Sequence, residues 1–154
     1  MSDHEHSRPN SGDAADDATQ LLEFIRQSGE SIALPQGSFL FQEGEPCRGA
    51  YYVEDGEFEL TILSGDKRLK VGTALSGYLL AIAPVITNGD HQCSAHAIAD
   101  SRLLFVPADA MREHLHQHAE ICLMTVQQLG AELLDLSENT IRPLRLQPRY
   151  HKPQ

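Results

Sequence analysis

The sequence predicts a mainly β fold, an antiparallel sandwich or barrel with helices at its two ends. Three observations predict it. From Ser31 to Pro107, short β-rich runs are broken by turn residues roughly every 8–12 positions. Within one run, Phe58, Leu60 and Ile62 alternate with Glu59 and Thr61, the period of two of a half-buried strand. Beyond Pro107 the apolar spacing changes to that of helices.

Each element can be justified in order. Residues 1–18 are rich in Asp, Ser and Ala without periodic apolar positions, and read as a disordered acidic tail. "DATQLLEFIRQSG" reads as a short helix: Asp17 or Thr19 caps it, Leu21, Leu22 and Ile25 form its apolar face, and Gly29 stops it. Eight runs follow as strands: "SIALP", "SFLFQ", "GAYYVE", "EFELTIL", "KRLKVGTAL", "GYLLAI", "QCSAHAIA" and "SRLLFVP". The breaks fall at Gly37, Gly44, Gly56, Gly65 and Gly89. "ADAMREHLHQH" is a second short helix and closes a globular unit over residues 19–118. A long helix is expected over residues 119–141. There Cys122, Val126, Leu129, Leu133, Leu136 and Thr140 form an a/d seam, with Val126, Leu129, Leu133 and Leu136 as the contacts of a dimer. Residues 142–154 carry Arg142, Arg145, Arg149 and Lys152 without an acid and read as a basic tail.

Composition narrows the function. The chain has 154 residues, 41% hydrophobic and 22% charged, enough for one domain with one core. No apolar run approaches the roughly 20 residues of a membrane span. The polar N-terminus resembles no signal peptide, so a cytoplasmic location is expected. A net charge of −10 with no basic face argues against direct contact with nucleic acid. Cys47, Cys93 and Cys122 are scattered, without the paired spacing of a disulfide framework or zinc site. His114 and His118 share a helix face but have no evident third ligand, so no metal is assigned. No nucleophile elbow, phosphate-binding loop or carboxylate pair stands out, and no enzyme is expected.

"LPQGSFLFQEGEPCRGAYYVEDGEFELTI" carries Gly37, Gly44, Gly49 and Gly56, with Leu40-Phe41 and Tyr51-Tyr52-Val53 between them. In order and spacing it resembles the first half of the cyclic-nucleotide-binding domain family, the regulatory module of catabolite-activator-type proteins. "ADSRLLFVPADAMREHLHQHAEICLMTVQQL" resembles the family's closing strand and helices. The resemblance covers about residues 20–140. It implies an antiparallel β jelly-roll (double-stranded β-helix) flanked by a short N-terminal helix and a long C-terminal one. It also implies a non-catalytic sensory role, exerted through a homodimer or a protein partner. The family's transcription factors continue into a helix-turn-helix; with about a dozen residues after the long helix, no such DNA-reading domain is expected here.

The resemblance places a phosphate-binding cassette between Gly77 and Ser94. The family's cassette reads Phe-Gly-Glu, then about eight residues, then Arg-Ser or Arg-Thr. Its amides and its Arg receive the cyclic phosphate, and its Glu receives the ribose. Here the Gly falls on Ala81, the Glu on Ile82 and the Arg on His91. No Lys or Arg occurs between Lys70 and Arg102, so no shift of register supplies one. The expected pocket residues are Gly77, Leu79, Leu80, Ala81, Ile82, His91, Gln92, Cys93 and Ser94. Cyclic AMP or GMP in the usual mode is not expected. Two alternatives stand beside a pocket used only in assembly. One is a haem or other apolar ligand against Leu79-Leu80-Ala81-Ile82, with His91, His96 or Cys93 as axial ligand. The other is a cyclic-nucleotide sensor in which His91 replaces the Arg.

Overall fold

All eight expected runs contain strands. The computed structural model describes residues 11–118 and 144–146. In chain order the elements are α1 (Ser11–Ser28), β1 (Glu30–Leu34), β2 (Phe39–Phe41), β3 (Gly49–Asp55), β4 (Glu57–Ser64), β5 (Lys67–Leu75) and β6 (Tyr78–Leu80). Then come α2 (Ile82–Thr87), β7 (Ser94–Ala97), β8 (Ser101–Pro107), α3 (Ala108–Gln117) and β9 (Leu144–Arg145). The expected dimer residues Val126, Leu129, Leu133 and Leu136 lie outside the described residues.

The strands form two sheets, ordered β1-β8-β3-β6-β9 and β2-β7-β4-β5. Every strand pair is antiparallel. This is the jelly-roll that the resemblance implied. Strand alternation divides the apolar side chains into two layers. Tyr51, Val53, Phe58, Leu60, Leu80 and Leu103 fill the space between the sheets. Tyr52, Leu79, Leu104 and Val106 point from the five-stranded sheet to the other side, where Leu21, Leu22 and Ile25 of α1 and Met111 and Leu115 of α3 cover them. The helices therefore form a third layer on one sheet.

Two elements differ from the expectation. The helix expected from Asp17 or Thr19 begins at Ser11, inside the segment read as a disordered tail. Ala14, Ala15 and Ala18 have the highest helix propensity, which a reading of apolar periodicity overlooks. At the other end, β9 falls in the stretch read as a basic tail, and pairs with β6 through Tyr78–Arg145 and Leu79–Leu144. The Leu146 amide donates to the Gly77 carbonyl at 2.8 Å. Leu146 is fully buried in the helix-side layer, a burial worth about 2 kcal/mol. Leu144 and Leu146 alternate with Arg145, but two leucines are too short a run to mark a strand among the charges around them.

The turn at Gly56 needs its glycine. Its φ is 127°, and a Cβ there would fall on the Ser101 side chain.

Candidate functional site

The segment that the resemblance assigns to the cassette turns from β6 into the short helix α2. Ala81, at the position the resemblance gives to Gly, is left-handed at φ 73°, a conformation costing a non-glycine residue about 1 kcal/mol. α2 then opens directly from it. Pro84 has no N–H, and the Val85 amide donates to the Ala81 carbonyl at 3.2 Å, leaving the Ile82 and Ala83 amides for any anion. Arg112 fixes this helix from α3: it donates to the Val85 carbonyl at 2.8 Å and to Asp109 at 2.6 Å.

The expected pocket residues do not gather. Leu79 and Ile82 pack in the helix-side layer, Leu80 in the layer between the sheets. Leu79 and Leu80, neighbours on β6, thus lie on opposite faces of the sheet, as strand alternation requires. Gly77 makes a turn whose amide donates to the Val53 carbonyl at 2.8 Å. Gln92 is exposed. Cys93 packs against the inter-sheet core, and burial pushes its thiol pKa up to about 11. Ser94 is buried and accepts from the Glu43 amide at 2.8 Å. His96 sits on the outer face of the four-stranded sheet, 3.5 Å from Glu59 and against the Phe39 ring. His91 and His96 therefore do not share one cavity.

His91 does line a cavity, of about 340 Å³, together with Leu40, Phe41, Glu45, Pro46, Arg48 and Tyr51. Its imidazole lies flat on the Phe41 ring, with centroids 3.8 Å apart and planes 6° apart. Its backbone is clamped on both sides: its amide donates to the Glu45 carbonyl at 2.9 Å, and its carbonyl accepts from Gly44 at 2.8 Å. Burial lowers its pKa, against the weaker opposing pull of Glu45 and Asp90. At neutral pH His91 is thus an uncharged plate. Burial likewise raises the pKa of the Tyr51 phenol, which stays protonated.

The family model for the cyclic nucleotide-binding domain matches residues 31–118. The chain belongs to the cyclic nucleotide-binding domain family. Among curated proteins it is similar to patatin-like phospholipase domain-containing protein 6 of Homo sapiens. The two are 30% identical over 139 residues, covering 75% of this chain and 10% of that protein. It is 31% identical over 111 residues to the domain-containing protein 7 of the same name in Mus musculus, covering 66% of this chain and 8% of that one. The chain thus spans about a tenth of the length of these relatives. Among solved structures, the catabolite activator protein of Thermus thermophilus superposes with TM-score 0.70 at 18% identity, covering 77% of this chain and 56% of that one. The N-terminal domain of a transcriptional regulator from Streptomyces coelicolor A3(2) gives 0.62 at 19%, covering 77% and 83%. At these identities the likeness is one of fold.

At the positions that the resemblance assigns to the cassette, Ile82 is buried, position 84 is a proline without an amide N–H, and no Lys or Arg occurs between Lys70 and Arg102. Sequence reasoning missed the opposite wall, formed by Leu40 and Phe41 of β2, the loop through Arg48, and Tyr51 of β3. One signal was legible: Arg48 is the only Lys or Arg between Arg26 and Lys67. Among the described residues no group of three or more His, Cys, Asp or Glu could hold a metal ion. No helix among them is long and apolar enough to cross a membrane.

His91 and His114 make the domain acid-sensitive. His114 stacks on Phe24 at 3.9 Å, joining α3 to α1. Burial, then the nearby His118, lowers its pKa, and its buried Nε2 has no hydrogen-bond partner. Both folded pKa values lie below the ordinary 6.5. The unfolded chain therefore binds protons first, so this stability is complete above pH about 6.5 and is lost as pH falls below it. Urea midpoints measured from pH 7.5 to 5 are expected to fall, and His114→Phe to flatten the decline. A flat wild-type profile would contradict the burial of both rings.

Proposed function

We propose that this chain is a non-catalytic sensory or regulatory domain that does not hold cyclic AMP or GMP in its family's usual mode. Its output passes through a homodimer or a partner protein. The observation that carries this reading is His91, buried and uncharged against Phe41 where the resemblance gives the phosphate-binding Arg. The same observation weighs against His91 as a substitute cation, since the ring would have to be protonated inside an aromatic stack. A haem site has less support, since its expected wall and axial ligands are divided between faces. One related structure is described as the cGMP-bound form of an EAL enzyme, at 18% identity. The fold can thus serve a cyclic nucleotide in that protein.

The test is thermal unfolding with and without about 1 mM cyclic AMP, at fixed salt. For a dissociation constant of about 10 μM, linkage stabilises by about 2.7 kcal/mol, several degrees in Tm for a domain of this size. No shift is expected. A shift of that size would return the protein to the ordinary nucleotide sensors.

A further inference from the structure

Two opposite charges line the cavity beneath His91, and the cassette side adds none. Arg48 and Glu45 are both exposed. Neither forms an ion pair among the described residues. The Glu45 side chain and the Arg48 backbone are nevertheless held in place. Glu45 Oε1 accepts from the Gln42 amide at 2.9 Å, closing a turn. The Arg48 carbonyl accepts from the Ala108 amide at 2.9 Å, which ties the loop to the end of β8. The Arg48 guanidinium has no hydrogen bond among the described residues, and its charge acts on the Tyr51 phenol. The remaining lining is apolar or aromatic: Leu40, Phe41, Pro46 and Tyr51 beside the uncharged His91.

This lining selects a ligand. A simple anion on Arg48 would share the cavity with the Glu45 carboxylate, and a simple cation on Glu45 would share it with the guanidinium. A molecule carrying both charges on one carbon answers both, with charge-assisted hydrogen bonds at each end. Its remaining body must be apolar to match the walls. The geometry points to a free α-amino acid with an aromatic or branched apolar side chain. Its carboxylate meets Arg48, its ammonium meets Glu45, and its side chain lies against Phe41 and Tyr51. The inference rests on the proposed function in one respect, that the cassette holds no phosphate.

Calorimetry and thermal unfolding on the full chain test it, with L-phenylalanine as probe. 3-Phenylpropionate lacks the ammonium, and phenethylamine lacks the carboxylate. At ten times its dissociation constant, L-phenylalanine is expected to raise Tm by roughly 3–6 °C. Each half-molecule is expected to bind at least about ten-fold more weakly. Arg48→Gln and Glu45→Gln should each weaken phenylalanine by about as much without lowering the unliganded Tm, since both side chains are exposed. In Glu45→Gln the amide oxygen still accepts from Gln42. Equal binding of 3-phenylpropionate, or no response to phenylalanine or leucine at about 10 mM, overturns the inference and leaves the proposed function standing. A Tm shift with cyclic AMP overturns the proposed function, and this inference with it.

Discussion

Gly49→Ala is expected to leave little folded protein. Gly49 opens β3 and pairs with Pro107 at the end of β8. A Cβ on it would run into the Val106 carbonyl oxygen, and would lie 2.7 Å from Phe105 Cε1 and 2.9 Å from Pro107 Cα. Two of these obstacles are backbone, and that backbone is held. Ala50 beside it is completely buried, and the Arg48 carbonyl is bonded to Ala108. Relief would require β3 and β8 to separate, yet they are inner strands of the five-stranded sheet. We expect a loss of about 3 kcal/mol or more, at the upper end of overpacking costs. That is a large share of the roughly 5–15 kcal/mol by which domains are stable. Urea denaturation measures it, with Gly37→Ala as control. Gly37 has φ 91° but open space around it, so only backbone strain of about 1 kcal/mol is expected there. A Gly49→Ala midpoint equal to that of the control would refute the close approach.

Gly49 also shows how far the sequence was legible. Its place in the glycine pattern was visible, and so was the fold that the pattern implies. Its physical reason, the close approach of β3 to the end of its partner strand β8, was not, because a contact between strands distant in sequence leaves no local mark. The strands were legible for the opposite reason: alternation such as Phe58, Leu60 and Ile62 is local and periodic. β9 was hidden because two residues give no period, and Leu146 matters only through the slot it fills.

The candidate site divides in the same way. The lack of Lys and Arg from position 71 to 101 could be read directly, since it needs no coordinates. Which residues form the cavity could not. Contiguous positions 79–82 are divided between layers, while Phe41, Arg48, Tyr51 and His91 come together from three separate stretches. The resemblance drew attention to the cassette wall. The charges that remain stand on the wall facing it.

Phe41→Ala is the second large effect expected, and it joins stability to the site. Phe41 is 6% exposed, stacked on His91 at 3.8 Å and tilted against Tyr51 at 5.8 Å. Phe→Ala truncations in cores cost about 3–5 kcal/mol. Phe41 borders an open cavity that water can enter, so about 3 kcal/mol is expected. The more specific consequence concerns His91. Burial is the main cause of its lowered pKa, and the Phe41 ring covers one whole face of the imidazole. With that face wet, the charged form is solvated and the pKa should rise toward 6.5. The folded and unfolded values then converge, and the His91 share of the acid sensitivity disappears. The variant should therefore be less stable at pH 7.5, with a shallower decline toward pH 5. Titration of the His91 ring protons by NMR separates this from simple loosening. A pKa unchanged in Phe41→Ala would mean that the clamped backbone at Gly44 and Glu45, rather than the aromatic stack, keeps the ring uncharged.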